Sequence, residues 1–221
     1  MCQPAIESMT PMAQPTNNQQ QTANSTAPLP FAIFVSGGGT NCEQLIRHFE
    51  GSSVARPVLV VSNRADAYAL VRAERLGVPT TIINKEQLRQ PDYMLPLLAG
   101  SDVKFIVLAG FLPLVPDYLI DAFPRSIVNL HPALLPKFGG KGMYGHHVHE
   151  AVKAAGETVT GMTVHYVTPV CDGGDIIAQF SVDLSPNDSV DDIAEKEHQL
   201  EMRHFPQVVE QVITKIVNYE L

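Results

Sequence analysis

Cysteine, charge and tryptophan are all scarce in this chain of 221 residues. Its three cysteines, Cys2, Cys42 and Cys171, form no C-x-x-C pair. Neither a disulfide framework nor a thiolate zinc site is therefore expected, and the usage suits a reducing, cytoplasmic compartment. Charged side chains make up only 17% of the residues, with 15 Lys and Arg against 23 Asp and Glu, a net charge of −8. That composition excludes the broad cationic surface by which proteins hold a nucleic-acid backbone. One phosphate on a small ligand stays within reach, because a few backbone N–H groups at a helix start can hold it. No apolar run reaches membrane-spanning length. The first residues show no charged segment followed by an apolar one, so no secretory signal is expected.

What is present is a hydrophobic fraction of 45%, enough for a sizeable core in one domain or at most two. Residues 1–29 stand apart, because "MAQPTNNQQQTANSTAPLP" is rich in Gln, Asn, Thr and Pro and has no periodicity. Such a segment buries too little apolar area to offset its ordering entropy, so a disordered extension is expected there, with residues 30–221 as one domain.

From Phe31 onward, apolar strands alternate with helical patterns. Strands are expected at 31–36, 56–62, 80–84, 104–110 and 126–131, and helices at 41–50, 65–77, 85–100 and 116–123. Continuously apolar strands separated by helices indicate an α/β fold, Rossmann-like, with a mostly parallel sheet covered on both faces. In the last third the pattern changes. A helix at 148–156 ends at Gly156, and "TVTGMTVHYVT" (158–168) alternates like a half-exposed strand. It joins the strand at 175–184 through "PVCDGG", which predicts an antiparallel hairpin. A long amphipathic helix over about 188–217, capped by Asp188 or Ser189 and open to interruption at Pro206, closes the chain. Ligands of parallel sheets sit beyond the carboxyl ends of the strands, which singles out the loops 36–41, 62–65, 110–115 and 129–148.

Three of these places carry chemistry. "SGGGTN" (36–41) joins the first strand to the first helix, where glycines allow close approach and the helix start favours an anion. It is neither a complete dinucleotide fingerprint nor a P-loop, because the third glycine falls at Cys42 and no Gly-Lys-Ser/Thr follows. A monophosphate on Gly39, Thr40 and Asn41 fits better, with Arg64 leaving a weaker NADP alternative. "NLHP" (129–132) puts Asn129 and His131 two apart on a strand, hence on one face. A histidine supplies acid–base chemistry near neutrality, and an asparagine amide can donate to a developing oxyanion. "VCDGGD" carries Asp172 in a tight turn, and no spacing rule links it to His131. The run His146-His147-Val148-His149 invites a metal reading, but no clear ligand set completes it, so no metal is expected.

Taken together, "FVSGGGTN", "VVSNRADAYALVRAERLGVP", "VLAGFLPLV", "NLHPALLPKF", "GMTVHYVTPVCDGGDII" and "SVDDIAEKEHQLEMRHFPQVV" closely resemble the phosphoribosylglycinamide formyltransferases, over about residues 31–213. These are folate-dependent formyltransferases. The resemblance implies that 10-formyltetrahydrofolate is the co-substrate and glycinamide ribonucleotide the acceptor, without metal, nucleic acid or membrane. It implies Asn129, His131 and Asp172 as the catalytic trio, and Gly39, Thr40, Asn41 and Glu201 on the substrate, with His165 in support. Leu112, Leu114, Val115, Cys171 and Gly173 would line the folate pocket. The oligomeric state is left open.

The chain also departs from that pattern. Better-known members carry Met-Arg-Ile-Leu where this one has Leu112-Pro113-Leu114-Val115, so their arginine is absent. The segment after "LLPKF" is longer, with His147 and His149 matching two histidines of the shorter loop, and its glycines suggest a lid over 137–148. A hydrolase of the same formyl-folate, or a non-catalytic nucleotide-binding module, are the alternatives.

Overall fold

A computed structural model describes residues 27–219. The expected N-terminal extension lies almost wholly outside the described residues. Its last residue, Leu29, opens the first strand and pairs with Ala55.

The parallel part is built as the alternation requires. Strands β1 (Leu29–Val35), β2 (Ala55–Ser62), β3 (Thr80–Ile82), β4 (Phe105–Leu108) and β5 (Ile127–His131) are connected through helices α1 (Thr40–His48), α2 (Tyr68–Arg75), α3 (Lys85–Leu88), α4 (Pro91–Gly100) and α5 (Asp117–Ala122). Strand residues can be apolar at every position because both faces are covered. Phe31, Ile33, Val35 and Val107 join α1 and α2 on one face, while Ala32, Phe34, Ile106 and Leu108 join α4 and α5 on the other.

The sheet order is β3-β2-β1-β4-β5-β6-β7. The connection leaving β1 goes outward to β2, and the one leaving β3 returns to β4 beside β1. The loops after β1 and β4 therefore part at the carboxyl edge and leave a crevice there. β6 (Val159–Tyr166) runs antiparallel to β5, and β7 (Ile176–Asp183) antiparallel to β6. The 167–175 connection thus leaves β6 beside the start of β5, where the Val167 N–H meets the Ile127 carbonyl, and folds back to bring Asp172 to the end of β5.

Two local expectations need correction, at 85–100 and in β6, and two alternatives left open in the last helix are decided. The single helix expected at 85–100 is two: α3 has an Asn84–Gln87 capping box, and Pro91, at the start of α4, cannot supply the N–H that a continuous helix needs. β6 is not half-exposed, since it is an interior strand with α7 on one side. α7 (Val190–Tyr219) runs through Pro206 without interruption. Of the two proposed caps, Ser189 is the one used: its Oγ accepts the Asp192 N–H while Asp192 accepts the Ser189 N–H. α6 (His146–Ala154) packs Val148 and Val152 against Ala133 and Ile193.

Interior packing between β6 and β7 is tight at Gly161, where a Cβ would lie 1.9 Å from the Phe180 carbonyl oxygen. The Gly161→Ala variant should lose about 1–3 kcal/mol of stability, read as a lower urea midpoint. An unchanged midpoint would mean that the strands separate without cost.

Candidate active site

β5 ends at the carboxyl edge with Asn129 and His131 two residues apart on one face. The antiparallel register sets His165 of β6 directly opposite Asn129. Asp172 reaches the same point from the 167–175 loop, at a left-handed φ of 52°. Its Oδ2 lies 3.7 Å from His131 Nδ1 and its Oδ1 3.6 Å from His165 Nε2. Both separations are longer than hydrogen bonds, and they become ion pairs only when the rings are protonated. The close partner of Asp172 is the Gly140 N–H, which donates to Oδ2 at 2.8 Å. One carboxylate therefore ties together the end of β5, β6, the hairpin loop and the segment following Pro136.

The hydrogen bonds fix which ring nitrogens carry protons. His165 Nδ1 lies 2.9 Å from the Tyr166 carbonyl, which can only accept. Nδ1 is therefore the donor, and Nε2 of the neutral ring accepts from the Asn129 amide at 3.1 Å. This orients the Asn129 side chain and leaves its second N–H for another acceptor. His131 Nε2 likewise donates to the Phe138 carbonyl at 2.9 Å, which leaves Nδ1 as the open nitrogen, facing Asp172.

His131 is only 3% exposed. Burial pushes its imidazole below the ordinary histidine value, and the Asp172 charge and Phe138 carbonyl pull upward without overcoming it. Asp172 therefore favours the imidazolium as expected, yet the resting ring is neutral at neutral pH. For Asp172 itself, burial works to raise the carboxyl. The facing His165 ring, the Gly140 N–H and the His131 ring outweigh it and hold the group below the usual carboxylate value.

The trio lies on a cleft of about 1260 Å³ at the crevice left by the sheet order. Asn41, Glu201, His165, Leu112, Leu114, Val115 and Cys171 all line it. Gly39, Thr40 and Gly173 do not. Gly39 instead caps α1 in a left-handed conformation, packed so that a Cβ would lie 2.3 Å from that of Ala69. Gly173 lets the loop turn against Val170, which a Cβ would meet at 2.6 Å. Asn41 donates to Glu201 at 2.7 Å, joining the first helix to the last across 160 residues of chain. Cys171 lies beside Asp172, and burial together with that charge pushes its thiol up, which disfavours a nucleophilic thiolate.

Among the lining residues, Ser36, Asn63 and Lys85 had no distinguishing sequence pattern, whereas Arg64 stood out as a possible phosphate partner. Ser36 donates to Asn63 at 2.5 Å and accepts the Leu112 N–H at 2.9 Å, locking three loops at the cleft floor. Arg64, Lys85 and Arg89 give one end of the cleft a cationic rim. The contacts of Phe138 and Gly140 are made by backbone atoms, which residue type does not advertise. Among the described residues, no group of three His, Cys, Asp or Glu side chains is arranged to hold a metal ion. His147 is exposed and pairs with Glu150.

Replacing Asp172 by Asn removes the negative charge that partly offsets burial at His131. The His131 imidazole should then titrate at still lower pH, followed by NMR, while His149, whose surroundings are Glu201 and His146, keeps its midpoint. An unchanged or higher His131 midpoint would show that Asp172 does not govern that ring.

Comparison with known proteins agrees with this geometry. The family model described as "Formyl transferase" matches residues 29–209. A chloroplastic phosphoribosylglycinamide formyltransferase of Arabidopsis thaliana is 38% identical over 81% of this chain and 63% of that protein. One from Vigna unguiculata is 39% identical, with 57% of it covered, so the chain spans about three-fifths of these plant relatives. The Bacillus subtilis phosphoribosylglycinamide formyltransferase is 33% identical over 83% of this chain and 94% of its own length. The solved structure of the Anaplasma phagocytophilum enzyme of that name superposes with a TM-score of 0.77 at 31% identity, covering 85% of this chain and 88% of that one. Fold, cleft and sequence thus agree that the chain belongs to the formyl transferase family, among relatives that are phosphoribosylglycinamide formyltransferases.

Proposed function

We propose that this protein transfers the formyl group of 10-formyltetrahydrofolate to the amine of glycinamide ribonucleotide, a step of purine biosynthesis. The observation that carries this reading is the convergence of Asn129, His131 and Asp172 at one end of a cleft large enough for two ligands. The low cysteine count supports a reducing, cytoplasmic setting.

The cleft fits both substrates. Leu112 and Leu114 are 49% and 69% exposed at its wall, apolar surface that a flat heterocycle would cover. Lys85 and Arg89 on the cleft rim suit a carboxylate-bearing tail, while Arg64 beside them is paired with Asp66. Proline at 113 removes the arginine of better-known members, and this rim is the cationic group nearest in role. On the opposite side, the start of α1 and Asn41 favour a phosphate, and Glu201 accepts from hydroxyl or amine donors.

Bound formyl-folate would supply an activated one-carbon unit; the remaining work falls to the chain's own side chains. As the ribonucleotide amine adds to the formyl carbon, negative charge grows on the formyl oxygen. The free N–H of Asn129, aimed by His165, is a fixed donor for that charge. Neutral His131 can take a proton at Nδ1, and the facing Asp172 carboxylate stabilises the resulting imidazolium, whose charge also favours the nearby oxyanion. The amine proton passes in turn to the departing folate nitrogen. The amine nitrogen thereby gains the formyl group, and the folate leaves with a proton in its place.

The deciding experiment mixes the protein with 10-formyltetrahydrofolate, with and without glycinamide ribonucleotide, and follows formyl loss by absorbance. Loss that requires the ribonucleotide is expected. Loss without it would mean hydrolysis, and no loss from folded protein would mean a binding module. In the same assay Asn129→Ala and His131→Ala should each lower kcat by about 10²–10³ with an unchanged circular dichroism spectrum. Near-wild-type kcat in either variant would remove that residue from the chemistry.

A further inference from the structure

Along α7 the positions Ile193, Glu197, Glu201, Phe205, Val209 and Ile213 succeed one another at i, i+4 and form a row that winds slowly round the helix, from α6 to the sheet. All six are buried, and four are apolar. The row faces the sheet and α6, and an apolar residue is what packing asks of each place. Glu197 breaks the row in the least favourable way, being 2% exposed with no partner for its Oε1. An unpaired carboxylate in that position would carry a large desolvation penalty.

No neighbour offers Glu197 a counter-charge of its own, because His198, whose imidazole the Glu201 hydrogen bond pushes up, is bonded to Glu201. Glu201, one turn on, has taken the available donors: Asn41 Nδ2 at 2.7 Å and His198 Nδ1 at 3.3 Å. From α6, His149 is held below the ordinary imidazole value by burial, so it adds no cation, and its Nδ1 is itself unpartnered. His146 stands beside that ring. From α1 come the uncharged Asn41 and three groups engaged elsewhere, Glu43 and Arg47 with each other and His48 with Glu210. On β6, His165 serves Asn129 and Tyr166 lies under Arg125, while Asp183 at the end of β7 is exposed. On α7 itself, Lys196 is paired with Asp188. Of the four buried side-chain atoms without a partner among the described residues, three (Asn41 Oδ1, His149 Nδ1 and Glu197 Oε1) belong to residues grouped around Glu201, and all three residues line the cleft.

We propose that Glu197 is held as a neutral carboxylic acid that donates a hydrogen bond to Glu201, and that its ionisation sets the alkaline limit for ribonucleotide binding beside Glu201. Burial and the facing Glu201 both push the Glu197 carboxyl well above the usual value, which agrees with that geometry. Below its titration Glu197 is neutral, and the pair carries one negative charge shared through one proton. Above it, two adjacent carboxylates face a ligand whose phosphate is already anionic, and binding weakens. Glu197 is thus a positioning residue, acting through Glu201.

The inference rests on the formyl-transfer reading for its ligand, and two measurements keep the two separable. Binding of glycinamide ribonucleotide is measured by calorimetry across neutral and alkaline pH for the wild type and Glu197→Gln, which keeps shape and neutrality but cannot ionise. Ionisation of the ribonucleotide itself is common to both proteins and cancels. The wild-type Kd should rise by about tenfold per pH unit above the titration of Glu197 relative to that of the variant. Parallel curves would overturn the proposal. Infrared difference spectra on ligand-free protein test the acid directly. The wild type should show the carbonyl stretch of a protonated carboxylic acid at neutral pH, and Glu197→Gln should lack it. A wild type without that band would also overturn it. Should the Gln variant fail to fold, Glu197→Leu, which restores the apolar row, serves in both measurements with the same expectation. If the wild type shows no ribonucleotide-dependent formyl loss, the functional reading fails, and the infrared band alone decides the acid.

Discussion

The site depends on one partly buried negative charge. Asp172 sits in a loop at a backbone angle that side chains rarely adopt, and its carboxylate faces His131 and His165 while accepting the Gly140 N–H. Burial opposes that charge, and these partners together overcome it. They come from β5, β6 and the 137–145 segment, so the carboxylate ties the 167–175 loop to three pieces of chain. Without it, His131 would lose the group that stabilises its protonated form, and the 137–145 segment would lose its tie to the hairpin loop.

The sheet explains why these pieces meet. Five parallel strands leave their carboxyl ends on one edge, and the divergence of the loops after β1 and β4 opens the crevice. The change of direction at β6 brings a strand back beside β5, with His165 in register with Asn129. α7 then crosses behind and sends Glu201 to Asn41 at the start of α1, so the last element of the fold closes the cleft against the first. The ligand-facing wall of this helix is polar where its packing row would otherwise be apolar, at Glu197 and Glu201.

Much of this was legible in the residue pattern. Apolar strands alternating with helices specified the parallel sheet, and Asn129 and His131 declared a shared face by their spacing alone. Helix interruption was read less well, because Pro91 starts a helix as readily as it ends one, and Pro206 is accommodated inside α7. The alternation in 158–168 suggested one wet face, but α7 covers it, and only tertiary packing decides that. Asp172 could be joined to His131 through family resemblance, not through spacing, since 41 positions separate them. The contacts of Phe138 and Gly140 are made by main-chain atoms and leave no trace in composition. Gly39 and Gly173 stood out for a sound reason, since both positions are sterically closed to a side chain, but they shape the turns and do not line the cleft.

The central claim is that Asp172 arms the site for chemistry while contributing little to holding substrate. Steady-state kinetics of the isosteric Asp172→Asn variant with both substrates test it most directly. The account predicts a fall in kcat of about 10² or more, with KM values for the ribonucleotide and the formyl-folate close to those of the wild type. A variant with undiminished kcat, or one whose defect lies wholly in KM, would contradict it.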